Sequence, residues 1–140
     1  MIKENKQKFG KLLKGGFVAL ALLVATTAPV HAASKTISTD RGTMEAWSSG
    51  FYLAPTQEKG MEFGSEMKSG KTTRLYLKAK TVKYSTGSTV NTIDRWGGSG
   101  KTQIHDYFYL KGYSSTKLKT YTTHEAIYTN AHTVQLSETY

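Results

Sequence analysis

Residues 72–84, TTRLYLKAKTVKY, decide the fold class of this chain. Leu75, Leu77 and Ala79 alternate with Arg74, Tyr76, Lys78 and Lys80. Successive side chains of an extended strand point to opposite faces, so a period of two predicts a strand with one buried and one wet side. A helix would instead bring its apolar residues round every three or four positions. Past Ala79 the apolar phase passes to Val82 and Tyr84, which predicts a bulge near Thr81.

Working outward, residues 85–88 (STGS) read as a hairpin turn and 89–94 (TVNTID) as the returning strand. Trp96 then meets Gly-Gly-Ser-Gly at 97–100, read as a further turn. Residues 102–110 (TQIHDYFYL) alternate again, with Ile104, Phe108 and Leu110 on one face and His105, Tyr107 and Tyr109 on the other. Asp106 falls on the apolar face, which calls for either a bulge or a paired buried acid. Residues 111–115 turn, 116–128 are strand-like, and Val134, Leu136 and Tyr140 mark a last short strand. Upstream, residues 42–54 (GTMEAWSSGFYLA) read as a strand pair or one bulged strand bending at Gly50. Met44, Ala46, Trp47, Phe51, Tyr52 and Leu53 are its core candidates. Residues 55–71 (PTQEKGMEFGSEMKSGK) mix three glutamates with three glycines and a proline. They are expected as a long loop with one short strand, and long loops often bind ligands. Residues 33–41 are expected as a flexible polar lead, and 42–140 as a single β-domain.

Usage agrees with this pattern. All nine tyrosines and eighteen of the twenty threonines lie beyond residue 32, and both residue types suit a pleated, half-buried surface. The expected fold is all-β, a small antiparallel β-sandwich or barrel of six to eight short strands after a cleaved N-terminal signal helix.

The signal is read from the first 32 residues. Lys3, Lys6, Lys8, Lys11 and Lys14 stand against Glu4 alone, and an apolar run from Phe17 to Ala25 follows. Thr26, Thr27 and Pro29 break the run before Val30-His31-Ala32. A basic, then apolar, then small-residue order is that of a secretory signal peptide. The run is too short for a spanning helix, which needs about 20 apolar residues. Cleavage is predicted after Ala32, with Ala33 second, and the mature chain is expected outside the cell. Removing residues 1–32 leaves fourteen basic and nine acidic residues, so +9 falls to +5.

The chain has no cysteine, which excludes disulfides, thiolate metal sites and thiol catalysis. No cofactor or metal is called for. Gly98-Ser99-Gly100-Lys101-Thr102 resembles the end of a phosphate-binding loop, but Arg95 stands where the loop needs its first glycine and a strand follows. His124-Glu125-Ala126-Ile127-Tyr128 lacks the second histidine of a zinc-protease helix. His105, His124 and His132, with Glu125 and Arg74 or Arg95, are the residue types a secreted ribonuclease would use. Catalysis would require them to converge.

Arg74, Tyr76, Lys78 and Lys80 share a strand face, and His105, Tyr107 and Tyr109 share another. Lysine meets phosphate or carboxylate, while tyrosine stacks on sugar or base rings. These seven are the candidate binding residues. The leading expectation is a non-catalytic binding protein acting at the cell envelope or outside the cell, through a basic, Tyr-rich sheet face. Its partner would be an anionic envelope polymer or another protein, rather than nucleic acid. A bacteriocin-like or membrane-active toxin is the first alternative, and the only one with membrane contact; a small secreted hydrolase is the second.

Overall fold

The computed structural model describes residues 27–53, 56–70 and 73–140. Residues 1–26, most of the expected signal peptide, lie outside the described residues. Eight strands follow in chain order: β1 (Thr27–Thr39), β2 (Gly42–Leu53), β3 (Glu58–Met67), β4 (Thr73–Lys83), β5 (Thr89–Lys101), β6 (Gln103–Leu110), β7 (Leu118–Ile127) and β8 (Ala131–Thr139). They form two four-stranded sheets, one in the order β1-β2-β3-β6 and the other β5-β4-β7-β8. Every pairing is antiparallel. The chain is therefore all-β, as its alternation predicts, and no helix occurs among the described residues.

The inner rows of both sheets make one core. Met44 and Ala46 on β2 join Met61, Phe63 and Met67 on β3 and Ile104 and Phe108 on β6. From the second sheet come Leu75, Leu77 and Ala79 on β4, Leu118 and Ala126 on β7, and Val134 on β8. Phe63 and Phe108 meet edge to face at 6.3 Å. Each large apolar side chain hidden here contributes roughly 1.5–3 kcal/mol. Tyr140 adds its ring to the core, and its hydroxyl hydrogen-bonds to Thr120 at 2.7 Å, itself bonded to Thr81 at 2.8 Å.

Several local expectations are corrected. Residues 58–67 are no loop: they form β3, an inner strand paired with β2 on one side and β6 on the other. Its glutamates and glycines all fall on the outer row, while Met61, Phe63, Ser65 and Met67 fill the inner one. The bareness of the outer row has a cause. Trp47 is registered opposite Gly64 and Phe51 opposite Gly60, and both rings lean onto β3. A Cβ on Gly64 would lie 2.5 Å from Trp47 Cζ2, and one on Gly60 closer still to Phe51. Trp47 and Phe51 thus belong to the outer face; Phe51 is buried there as expected of a core candidate, but apart from the cluster between the sheets, and Trp47 is only partly buried.

Gly97 to Gly100 also form no turn. They continue β5 as an edge strand, with register shifts against β4, and the corner falls at Thr102, whose carbonyl accepts from Met67 N–H. Residues 33–39 form the second half of β1, paired with β2. β2 runs unbroken, and its register shift with β1 lies between Pro29 and His31 on β1. The bulge expected near Thr81 is present, between Thr81 and Val82 in the pairing with β5. Thr81 nevertheless stays fully buried on the inner row. The register around Asp106 is unbroken, so it is the buried acid, accepting the Tyr107 N–H at 3.0 Å.

The interlock of ring and glycine predicts coupling. Gly64→Val should destabilise the fold by about 2–3 kcal/mol through overpacking. In a double-mutant cycle by urea denaturation with Trp47→Ala, part of that loss should be recovered. Strictly additive losses would show that the ring does not occupy the space over Gly64.

Candidate functional site

The seven residues singled out in the sequence divide between two faces. Arg74, Tyr76, Lys78 and Lys80 lie on the outer row of β4, opposite the row of Leu75, Leu77 and Ala79. His105, Tyr107 and Tyr109 lie on the outer row of β6, in the other sheet. Since the two sheets share a core between them, these rows face away from each other and form no single site.

On the second sheet, acids interrupt the basic row. Tyr76 donates its hydroxyl proton to Asp94, which holds the phenol pKa up at about 12. Lys78 lies 3.6 Å from the same carboxylate. Glu125, opposite Tyr76 on β7, accepts from Thr133. The basic character survives at the other end of the sheet. Lys80 is registered opposite Tyr121, and Val82 opposite Lys119. Lys119 Nζ sits 5.0 Å from the Tyr121 ring, and Lys117 Nζ sits 4.4 Å from the Tyr84 ring. Tyr84 and Tyr121 are among the few large apolar side chains left exposed, at 55% and 45%. Lys80, Lys117 and Lys119 have no acidic partner among the described residues. The two exposed tyrosines escaped the sequence reading because no alternation marks exposure near a turn.

The outer face of the first sheet differs. Glu45, Glu58, Glu62 and Glu66 all lie on it, with Lys68 bonded to Glu45 and Glu66 at 2.9 Å each. Glu62 is flanked in register by Ser49 and Tyr107. Burial raises its carboxyl pKa to about 7. Desolvation also raises the Tyr107 phenol, with Tyr109 and Asp106 adding to the effect.

The three histidines stand in three places. His105 is on that outer face, opposite Gly64. His124 is fully buried in the core and bridges the sheets, with Nδ1 2.9 Å from Ser65 Oγ and Nε2 2.9 Å from Thr122 Oγ1. His132 pairs with Asp40 at 2.8 Å where the β1–β2 and β7–β8 turns meet, and its hydrogen bond holds the Asp40 pKa down at about 2. The convergence a histidine-based hydrolase requires is not formed by these residues. No group of three potential metal-ligating side chains occurs among the described residues. No protein-family model matches the chain, and no curated protein matches it.

His124 and Glu62 make opposing predictions for stability. Burial holds the His124 ring down at about 4 from 6.5, outweighing the Gly64 carbonyl that favours its protonation. The unfolded chain therefore takes up the proton first, and stability is lost as pH falls from 6.5 towards 4. Glu62, raised from 4.5 to about 7, stabilises below 4.5 and loses that contribution as pH rises to about 7. In the wild type the two slopes oppose each other between 4.5 and 6.5. Glu62→Gln should unmask the histidine, with urea-unfolding stability climbing by up to about 3 kcal/mol from pH 4 to 6.5. An unchanged slope in this variant would refute the opposition.

Proposed function

We propose that the protein is an exported, non-catalytic binding protein, a β-sandwich that holds an anionic polymer of the cell envelope. The binding surface is the end of the second sheet carrying Lys80, Lys117, Lys119, Tyr84 and Tyr121. One observation carries this reading: three lysines and two exposed tyrosines lie together with no carboxylate partner among the described residues. Unpaired ammonium groups offer their charge to phosphate or carboxylate groups of a chain. The tyrosine rings beside them supply flat surfaces on which sugar rings stack. Arg74, Tyr76 and Lys78, on the same sheet, have a smaller part because Asp94 and Glu125 offset their charge.

Export rests on the order of basic, apolar and small residues over 1–32, with the cut after Ala32 or, second, after Ala33. An envelope polymer suits that address, whereas a nucleic acid would seldom be met there.

Retention tests the binding. The purified chain should be held on phosphocellulose at low ionic strength and released by salt, because attraction between exposed charges is screened over about 10 Å at 0.1 M. Joint replacement of Lys80, Lys117 and Lys119 by Gln should move elution to clearly lower salt. The pair Arg74→Gln and Lys78→Gln should move it less. Retention indifferent to salt, or lost equally in both variants, would overturn the assignment.

A further inference from the structure

On the face opposite that polymer surface, Glu62 is the centre of a small grid of side chains. Ser49 and Tyr107 flank it across the sheet. One step along, Trp47 and His105 stand on either side of Gly64; one step the other way, Phe51 and Tyr109 stand on either side of Gly60. Because the Trp47 and Phe51 rings lean over those glycines, Glu62 leaves its strand between a position covered by an indole and one covered by a phenyl. It has a phenol beside it across the strand. Glu62 has no hydrogen-bond or ion-pair partner among the described residues. A carboxylate drawn out of water without a donor is costly, and the surrounding Glu45, Glu58 and Glu66 make the face more negative still. Lys68 is the base that answers them, and it is already held by Glu45 and Glu66.

A negative centre walled by aromatic rings complements a cation. A primary ammonium suits it poorly, since it is strongly hydrated and carries three N–H donors, while the carboxylate has only two hydroxyl-bearing neighbours in register, Ser49 and Tyr107. A quaternary ammonium has no N–H to satisfy and sheds its water readily. A phospholipid headgroup would bring its phosphate against Glu45, Glu58 and Glu66. We propose that the Glu62 grid binds a free, choline-type quaternary ammonium ion, with Trp47 and Tyr107 facing the methyl groups and the Glu62 carboxylate supplying the counter-charge. The site is separate from the polymer surface and does not depend on it.

Choline titrated into the full folded chain, followed by the Trp47 indole N–H resonance, tests this. Binding on the order of 1 mM is expected. It should strengthen as pH rises through about 7, where Glu62 loses its proton. The other titratable groups on this face are Glu45 on β2, Glu58 and Glu66 on β3, Lys68 just beyond β3, and His105, Tyr107 and Tyr109 on β6. Histidine is the other residue type on this face that can change charge near neutrality, so His105→Asn should keep the pH dependence, while Glu62→Gln should abolish it and weaken binding at least tenfold. Tyr107→Leu should also weaken binding. The neutral isostere 3,3-dimethyl-1-butanol, butylamine and phosphatidylcholine vesicles should each bind less than choline. Equal binding of the isostere would reduce the site to an apolar groove. Tighter binding of butylamine, or vesicle binding without choline binding, would overturn the assignment, as would no shift with choline at all.

Discussion

The contact on which the first sheet depends is that of two aromatic rings with bare backbone. Trp47 and Phe51 rest over Gly64 and Gly60, the residues opposite them on β3. Glycine in a strand weakens it, since it has no side chain to pack and much freedom to lose. Here the neighbouring strand supplies the missing packing, and β3 can hold an inner position between β2 and β6. The same arrangement leaves Glu62 as the one full side chain between two glycines, and draws it out of water. A packing solution and a chemically unusual carboxylate therefore have a single origin.

The second constraint lies between the sheets. Their facing rows are apolar around Phe63, Leu75 and Leu77, but Ser65, Thr122 and His124 put a polar bridge among them. The imidazole has both nitrogens engaged by hydroxyls, and hydroxyl rotors adapt to either tautomer. Such a bridge fixes the relative register of the sheets more sharply than methionine and leucine contacts, which tolerate sliding. It also ties that register to proton uptake, because among the described residues no anion is bonded to the ring to compensate its charge.

The sequence made the strands legible wherever hydrophobic and charged residues alternated. β4 and β6 were readable because leucines, isoleucine and phenylalanine stand against lysine, histidine and tyrosine at a spacing of two. β3 alternates just as strictly, Glu-Lys-Gly-Met-Glu-Phe-Gly-Ser-Glu-Met. Its outer row is glutamate and glycine, however, which locally signal a loop, and the rings that cover the glycines come from another strand. Gly97 to Gly100 misled for a related reason: an edge strand tolerates glycine, and local composition resembles a turn. For the candidate sites, alternation gave each residue a face but not a neighbour. It put Lys78 and Lys80 on one row without revealing that Asp94 reaches Lys78, while Lys80 has no acidic partner among the described residues. The grouping of Glu62 with Trp47 and Tyr107 depends on the register of three strands, with Glu62 and Tyr107 paired across 45 residues of sequence.

β1 links the fold to the proposed export. Its pairing with β2 starts at Thr27 opposite Leu53, upstream of the predicted cut, and Ala32 lies opposite Ser49. A peptide bond within a paired strand is poorly placed to enter a protease cleft, which reads an extended and separate chain. Cleavage after Ala32 would therefore have to precede the pairing of this half of β1. Once made, the cut would leave Ala33 to Thr39 as the edge strand and free the β2 backbone from Ser49 to Leu53 on that side. That stretch carries Phe51, whose ring is already engaged with Gly60. The shortened edge would thus keep its side-chain packing while losing half its hydrogen-bonded partner. Short edge strands are one of the ways β proteins limit pairing with other chains, and the register shift between Pro29 and His31 falls in the part that would be removed.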